Sequence, residues 1–204
     1  GQKYQRPMEQ VGADFLYQKE PNLAPGCSSA LWMPEVGSIR NPRLGQALRK
    51  SLELHPKVTL VENTPVDSLL IKEGKAIGVK TAQGELLADK VVIAAGAWSG
   101  QLLEPLDIQL PVEPVKGQMM VFKAPVGLIN RVVLMGGRYL IPRNDGRILV
   151  GSTLERIGFD KQPTEEARES LLQTALSICP ALEQYELEHH WAGLRPGSPE
   201  GVPF

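Results

Sequence analysis

The sequence has no G-x-x-x-x-G-K-[ST] loop and no internal repeat, so neither P-loop nucleotide chemistry nor a solenoid array is encoded in its 204 residues. It has only two cysteines, Cys27 and Cys179, far apart and outside any metal-ligand spacing. That excludes a disulfide framework and a cysteine metal site, and it is the usage of a reduced, cytoplasmic protein with incidental thiols. Charge of one sign is missing as well. The chain carries 22 Lys and Arg against 23 Asp and Glu, for a formal net charge of −1, with no basic cluster. Nucleic acid and anionic membrane are therefore poor partners. The longest strongly apolar stretch is the eight residues Val91 to Trp98, too short to span a bilayer, and the N-terminus is not signal-like.

What is present is an ordinary globular composition, 42% hydrophobic and 22% charged, in a chain long enough for a substantial core. Twenty glycines and seventeen prolines fall between apolar runs, the mark of short elements joined by tight turns. The spacing of Met8, Val11, Phe15 and Leu16 predicts a helix over 7–20, and "SALWMPE" predicts a short strand. Asn41-Pro42 reads as an N-cap and first helical residue, followed by Leu44, Leu48 and Leu52 on one face up to the stop at His55-Pro56. "KVTLVE" predicts a strand, the next three segments a meander turning at Glu73-Gly74 and Gln83-Gly84, and Val91–Ala95 a buried strand.

Beyond Pro105 the pattern becomes a succession of strands with an Asn144-Asp145-Gly146 hairpin turn. A helix capped by Thr164 follows, running to about Ile178, and then a last strand entering a Gly/Pro-rich loop. The chain thus divides into a mixed α/β territory and an antiparallel one. It starts at Gly1 and ends on "GVPF" with no closing element, which leads us to expect a piece of a longer protein.

One stretch raises a chemical question. In "VVIAAGAWSGQLL" a β-branched run gives way to Ala94-Ala95-Gly96-Ala97, then Trp98 and a helical spacing begun at Ser99. Tiny side chains at such a point let a non-protein group approach the backbone, or let a helix pack closely on a strand. The pattern alone supports both equally.

Together with "LPVEPVKGQMMVF", "RYLIPRNDGRILVGST" and "WAGLRPGSPEGVPF", in this order, the stretch resembles the flavin-dependent amino-acid oxidases of the D-amino-acid oxidase superfamily, closest to the glycine oxidase group of the thiamine-biosynthesis type. The resemblance covers 41–204 and is less specific before that. It implies a fold that is α/β plus α+β: an FAD-binding α/β domain interrupted by an antiparallel-sheet substrate domain. On that plan residues 1–40 begin the substrate domain, 41–104 are a segment of the FAD domain, and 105–204 return through the substrate domain toward it. Such enzymes open with a glycine-rich strand-turn-helix holding the FAD pyrophosphate. No G-x-G-x-x-G occurs here, so half of the flavin site is expected to lie elsewhere, and these residues alone are expected to be colourless and inactive.

The same resemblance implies roles for individual residues. Ala95, Gly96, Ala97 and Trp98 would meet the flavin, and Val66 the adenine through its backbone. Arg195 would pair bidentately with the substrate carboxylate, where a planar fork fixes orientation as well as charge. Tyr139 would add a hydroxyl to the same carboxylate, and Leu154 would stand where some glycine oxidases carry methionine on the pocket wall. Outside the resemblance, Arg195 reads as a surface or ion-paired arginine, Tyr139 as a core ring and Val66 as an ordinary strand valine. Arg138 and Arg143 flank Tyr139 and are expected to be solvated. His55, His189 and His190 match no catalytic position and have no ligand partner nearby in sequence, and no metal site is expected.

The activity implied is FAD-dependent oxidation of glycine, sarcosine or a small D-amino acid, with molecular oxygen as acceptor and hydrogen peroxide as product. No nucleic acid or membrane is involved, and a homo-oligomer is compatible with it. Two other readings stand beside it: a flavin oxidase of a modified tRNA base, disfavoured by the balanced charge, and a non-catalytic binding or assembly module.

Overall fold

The computed structural model describes residues 6–202. Gly1–Gln5 and the final Pro203-Phe204 of the last motif lie outside them. The chain divides into two compact units, each described by itself: one from the N-terminal segment to Ser38 together with Val115–Leu194, the other from Ile39 to Pro114 together with the residues from Arg195 onward.

The first unit is built on a five-stranded sheet of order β10-β6-β9-β8-β7. Its strands are β6 (Glu113–Lys123), β7 (Val133–Met135), β8 (Arg138–Arg143), β9 (Arg147–Gly151) and β10 (Glu186–Gly197). The β8–β9 hairpin turns at the expected Asn144-Asp145-Gly146, where Gly146 has φ 74°, a conformation glycine adopts without strain. Helix α4 (Glu165–Ile178) starts where Thr164 Oγ1 accepts from the Ala167 amide, the predicted cap. Ala167, Leu171, Ala175 and Ile178 repeat at helical spacing and are all buried. Leu171, Ala175 and Ile178 pack with Met120, Phe122, Leu140, Ile148 and Val150 into the main core cluster.

The N-terminal segment departs from expectation. Instead of one helix over 7–20, Glu9–Gly12 form β1, paired antiparallel with β2 (Ser29–Trp32), and α1 is confined to Ala13–Lys19. Gly12 is a poor helix interior and sits extended at the N-cap, and the pairing with β2 outweighs the weak local helical preference. The segment is tied down where the buried Glu20 accepts from the Asn130 amide and from Arg131, and where Asn22 donates to the Leu128 carbonyl.

In the second unit, α2 (Asn41–Leu54) has Arg40 as N-cap, so Asn41 is already helical and caps nothing with its side chain. The meander β3 (Val66–Lys72), β4 (Lys75–Thr81), β5 (Gly84–Leu87) forms as expected. Gly78 is required there, because a Cβ would lie 2.2 Å from the Leu86 carbonyl oxygen. The two other expected strands are not formed: neither 57–62 nor Val91–Ala95 pairs with any described strand. An apolar run becomes a strand only when a ladder takes up its backbone groups. A 3-10 turn at Gly96–Trp98 leads into the short α3 (Ser99–Leu103).

Candidate functional site

In the first unit, Tyr139 pairs with Gly151 across β8 and β9. Its ring lies over that glycine so closely that a Cβ there would stand 2.8 Å from the ring atoms and the hydroxyl oxygen. The hydroxyl reaches the Met119 sulfur at 3.9 Å, a weak contact that leaves its hydrogen-bonding capacity largely unspent. Tyr139 is half-buried, neither a core ring nor a free surface one. Arg138 points the opposite way, as alternation demands, but it is not solvated. It donates to Ser170 at 2.9 Å and Thr174 at 3.3 Å on α4. Arg143 is likewise half-buried.

Leu154 follows Gly151 by three residues and is 70% exposed. It stands between two tightly held neighbours. Thr153 donates its amide to the Gln118 carbonyl and accepts from the Gln118 amide, while Glu155 exchanges both backbone hydrogen bonds with Lys116. Burial by itself would push the Glu155 carboxyl up; the hydrogen bonds from Thr153 and Gln118 and the charge of Lys116 together outweigh it and hold the group below its ordinary value. Lys116 and Gln118 are completely buried. Sequence inspection passed over this group, although "KGQ" and "STLE" carry its lysine, glutamine, threonine and glutamate; Lys116 and Gln118 lie on β6, and Thr153 and Glu155 follow the end of β9.

In the second unit, Ala95, Gly96, Ala97 and Trp98 are brought together by the 3-10 turn. Ala97 is buried, Ala95 and Gly96 are half-buried, and Trp98 is 41% exposed. Gly96 has φ 56° and open space where a Cβ would project. Backbone at Gly96 with nothing within 4 Å of where a Cβ would stand, next in the chain to Ala97 and the exposed Trp98, leaves room for a flat aromatic group to approach, and in that respect these residues fit a flavin. Val66 opens β3, partnered with Thr81, at a register shift before Ser68. Arg195 is exposed near the end of β10.

The histidines are peripheral. His55 Nδ1 accepts from the Lys57 amide in an exposed turn, His189 is exposed, and burial followed by the nearby Arg168 pushes His190 below its ordinary value. Cys179 is fully buried, and that burial raises its thiol. Among the described residues no group of His, Cys, Asp and Glu could hold a metal ion, and no helix is long and apolar enough to cross a membrane.

Comparison with known proteins adds three findings. The sequence profile described as "DAO: FAD dependent oxidoreductase" matches residues 2–204. The glycine oxidase of Pseudomonas aeruginosa is 49% identical over 202 residues, covering 99% of this chain and 56% of the relative. The crystal structure of glycine oxidase from Bacillus cereus superposes with a TM-score of 0.92 at 32% identity, covering 100% of this chain and 56% of that one. The chain spans about half the length of the relatives it matches.

Proposed function

Since the chain belongs to the DAO family of FAD-dependent oxidoreductases, we propose that the protein it forms part of oxidises glycine, sarcosine or a small D-amino acid. On this reading the amine becomes an imine that water hydrolyses to the oxo acid and ammonia or an amine, while oxygen is reduced to hydrogen peroxide. The observation that carries it is the 49% identity, sustained over 202 residues, to a glycine oxidase.

FAD, when bound, supplies the two-electron chemistry, and the protein's part is to hold the substrate and exclude water. Gly96, with its neighbours Ala95 and Ala97, would offer backbone to the flavin with Trp98 alongside, and the Val66 backbone would meet the adenine. Residues 41–104 are accordingly read as FAD-domain chain, and the sheet of the first unit as the substrate domain. Arg195 would anchor the substrate carboxylate through its guanidinium fork. The Tyr139 hydroxyl, engaged only by a distant sulfur, is free to donate to that carboxylate, and Leu154 would form an apolar wall.

The test is made on the full-length protein, with hydrogen peroxide measured on glycine, sarcosine and D-alanine. Substrate titrations follow the flavin absorbance. Arg195→Lys should weaken amino-acid binding by about 2–4 kcal/mol while FAD content is unchanged, because lysine keeps the charge but not the bidentate geometry. Tyr139→Phe should cost about 0.5–1.5 kcal/mol, since it removes one neutral donor and keeps the ring over Gly151. Parent-like binding by Arg195→Lys would remove Arg195 from the site.

A further inference from the structure

The segment after β9 contains a device that neither strand pairing nor core packing accounts for. Met119 pairs with Gly151, and the next bridge joins Lys116 to Glu155. The register advances three residues along β6 but four along its partner, so one extra residue is accommodated: a β-bulge. It is closed by side chains. The Gln118 amide, which a regular ladder would direct at a carbonyl, donates instead to Thr153 Oγ1 at 2.8 Å. Gln118 Nε2 donates to Glu155 Oε1 at 2.9 Å and to Thr164 Oγ1 at 3.1 Å, and Gln118 Oε1 accepts from the Thr164 amide at 2.9 Å. Thr153 Oγ1 also donates to Glu155 Oε1.

Beneath this lies Lys116, with no exposed surface. Its Nζ makes no hydrogen bond, and stands 3.6 Å from Glu155 Oε2 and 3.7 Å from Asp160 Oδ2. An ammonium buried at such distances is a poor source of stability, because desolvation consumes most of what the charges return. What the hydrogen-bonded side chains of Gln118, Thr153, Glu155 and Thr164 do supply is a single arrangement, to which Lys116 adds its charge and two backbone hydrogen bonds with Glu155. Here the arrangement clamps the residues on both sides of Leu154 and leaves that apolar side chain projecting, 70% exposed, from backbone that cannot readily shift.

We propose that Lys116, Gln118, Thr153 and Glu155 are positioning residues that hold Leu154 at a fixed height and so set the size of the amine substrate the protein accepts. This rests on the reading of Leu154 as a wall of the substrate site. The network touches no substrate itself. Loosening it lets Leu154 retreat, which should favour amino acids bearing a side chain over glycine.

The experiment uses the full-length FAD-loaded protein and measures kcat and KM for glycine and for D-alanine. Leu154→Ala is the reference. Lys116→Met should shift the D-alanine to glycine ratio of kcat/KM at least about fivefold in the direction of Leu154→Ala, KM moving more than kcat and FAD content staying constant. The double variant should shift it little further than Leu154→Ala alone. In the same proteins, hydrogen exchange at the Thr153 and Glu155 amides should accelerate in Lys116→Met. If Lys116→Met does not fold, Thr153→Val, which keeps the shape and removes the closing hydroxyl, carries the same expectations. An unchanged ratio in a folded variant, or shifts that multiply in the double variant, would overturn the proposal. A parent protein that oxidises neither amine fails the oxidase reading itself, and the parent assay alone reports that.

Discussion

On α4 of the first unit, Leu171 and Ile178 disappear beneath a five-stranded sheet, while on α2 of the second, Leu44, Leu48 and Leu52 stand in solvent although their spacing is just as regular. The two helices have the same length, fourteen residues, and α2 has the cleaner apolar stripe by sequence. The difference lies in what faces them. The first unit closes the cluster from Met120 to Leu182 around α4. Among the described residues of the second, only Gly78, Thr81, Ala97 and Ser99 are buried, and Val92 is 88% exposed. An amphipathic pattern specifies a face, and its energetic value is realised only when another apolar surface covers that face.

The comparison predicts unequal sensitivity, which stability measurements on the 204-residue chain can break. Trp98 is in the second unit and Trp32 and Trp191 are in the first, so Trp98→Phe leaves fluorescence reporters for the first unit alone. In that background Leu171→Ala should lose about 2–5 kcal/mol in urea unfolding, because a closely packed cavity is left under the sheet. A loss below about 1 kcal/mol would mean that the core is not closed.

Thr164→Ala should cost the same unit about 0.5–2 kcal/mol, through the lost cap of α4 and the lost acceptor of Gln118. Thr164→Ser should recover most of it, and failure to do so would assign the cost to the methyl group instead.

A smaller effect concerns pH. The Glu155 carboxyl lies below its ordinary value in the folded chain, so its contribution is fully present above the usual carboxylate range and is lost as pH falls through the depressed value. The stability gap between parent and Glu155→Gln should therefore narrow on acidification from neutral pH to below pH ~4.3. A gap independent of pH would show that the group is not charged beside Lys116. Smallest of all, Leu48→Ala in α2 should change stability by no more than about 0.5 kcal/mol, its side chain being already 57% exposed. A loss approaching that of Leu171→Ala would mean that this face is covered in solution.

The order of motifs in the sequence was sufficient to place the family, and local signals placed the elements whose causes are local. Thr164 caps α4, Asn144-Asp145-Gly146 turns the β8–β9 hairpin, and alternation sends Arg138 and Tyr139 to opposite faces, because caps, turns and pleats depend on residues a few positions apart. Long-range pairing decided the rest. It made a strand of Glu9–Gly12, left Val91–Ala95 without a ladder, and gave Arg138 its hydroxyl partners on α4. It also assembled Lys116, Gln118, Thr153 and Glu155 across a bulge. Residues more than thirty positions apart meet there only because an extra residue is absorbed between two strands, and no local propensity records which residue a strand will skip.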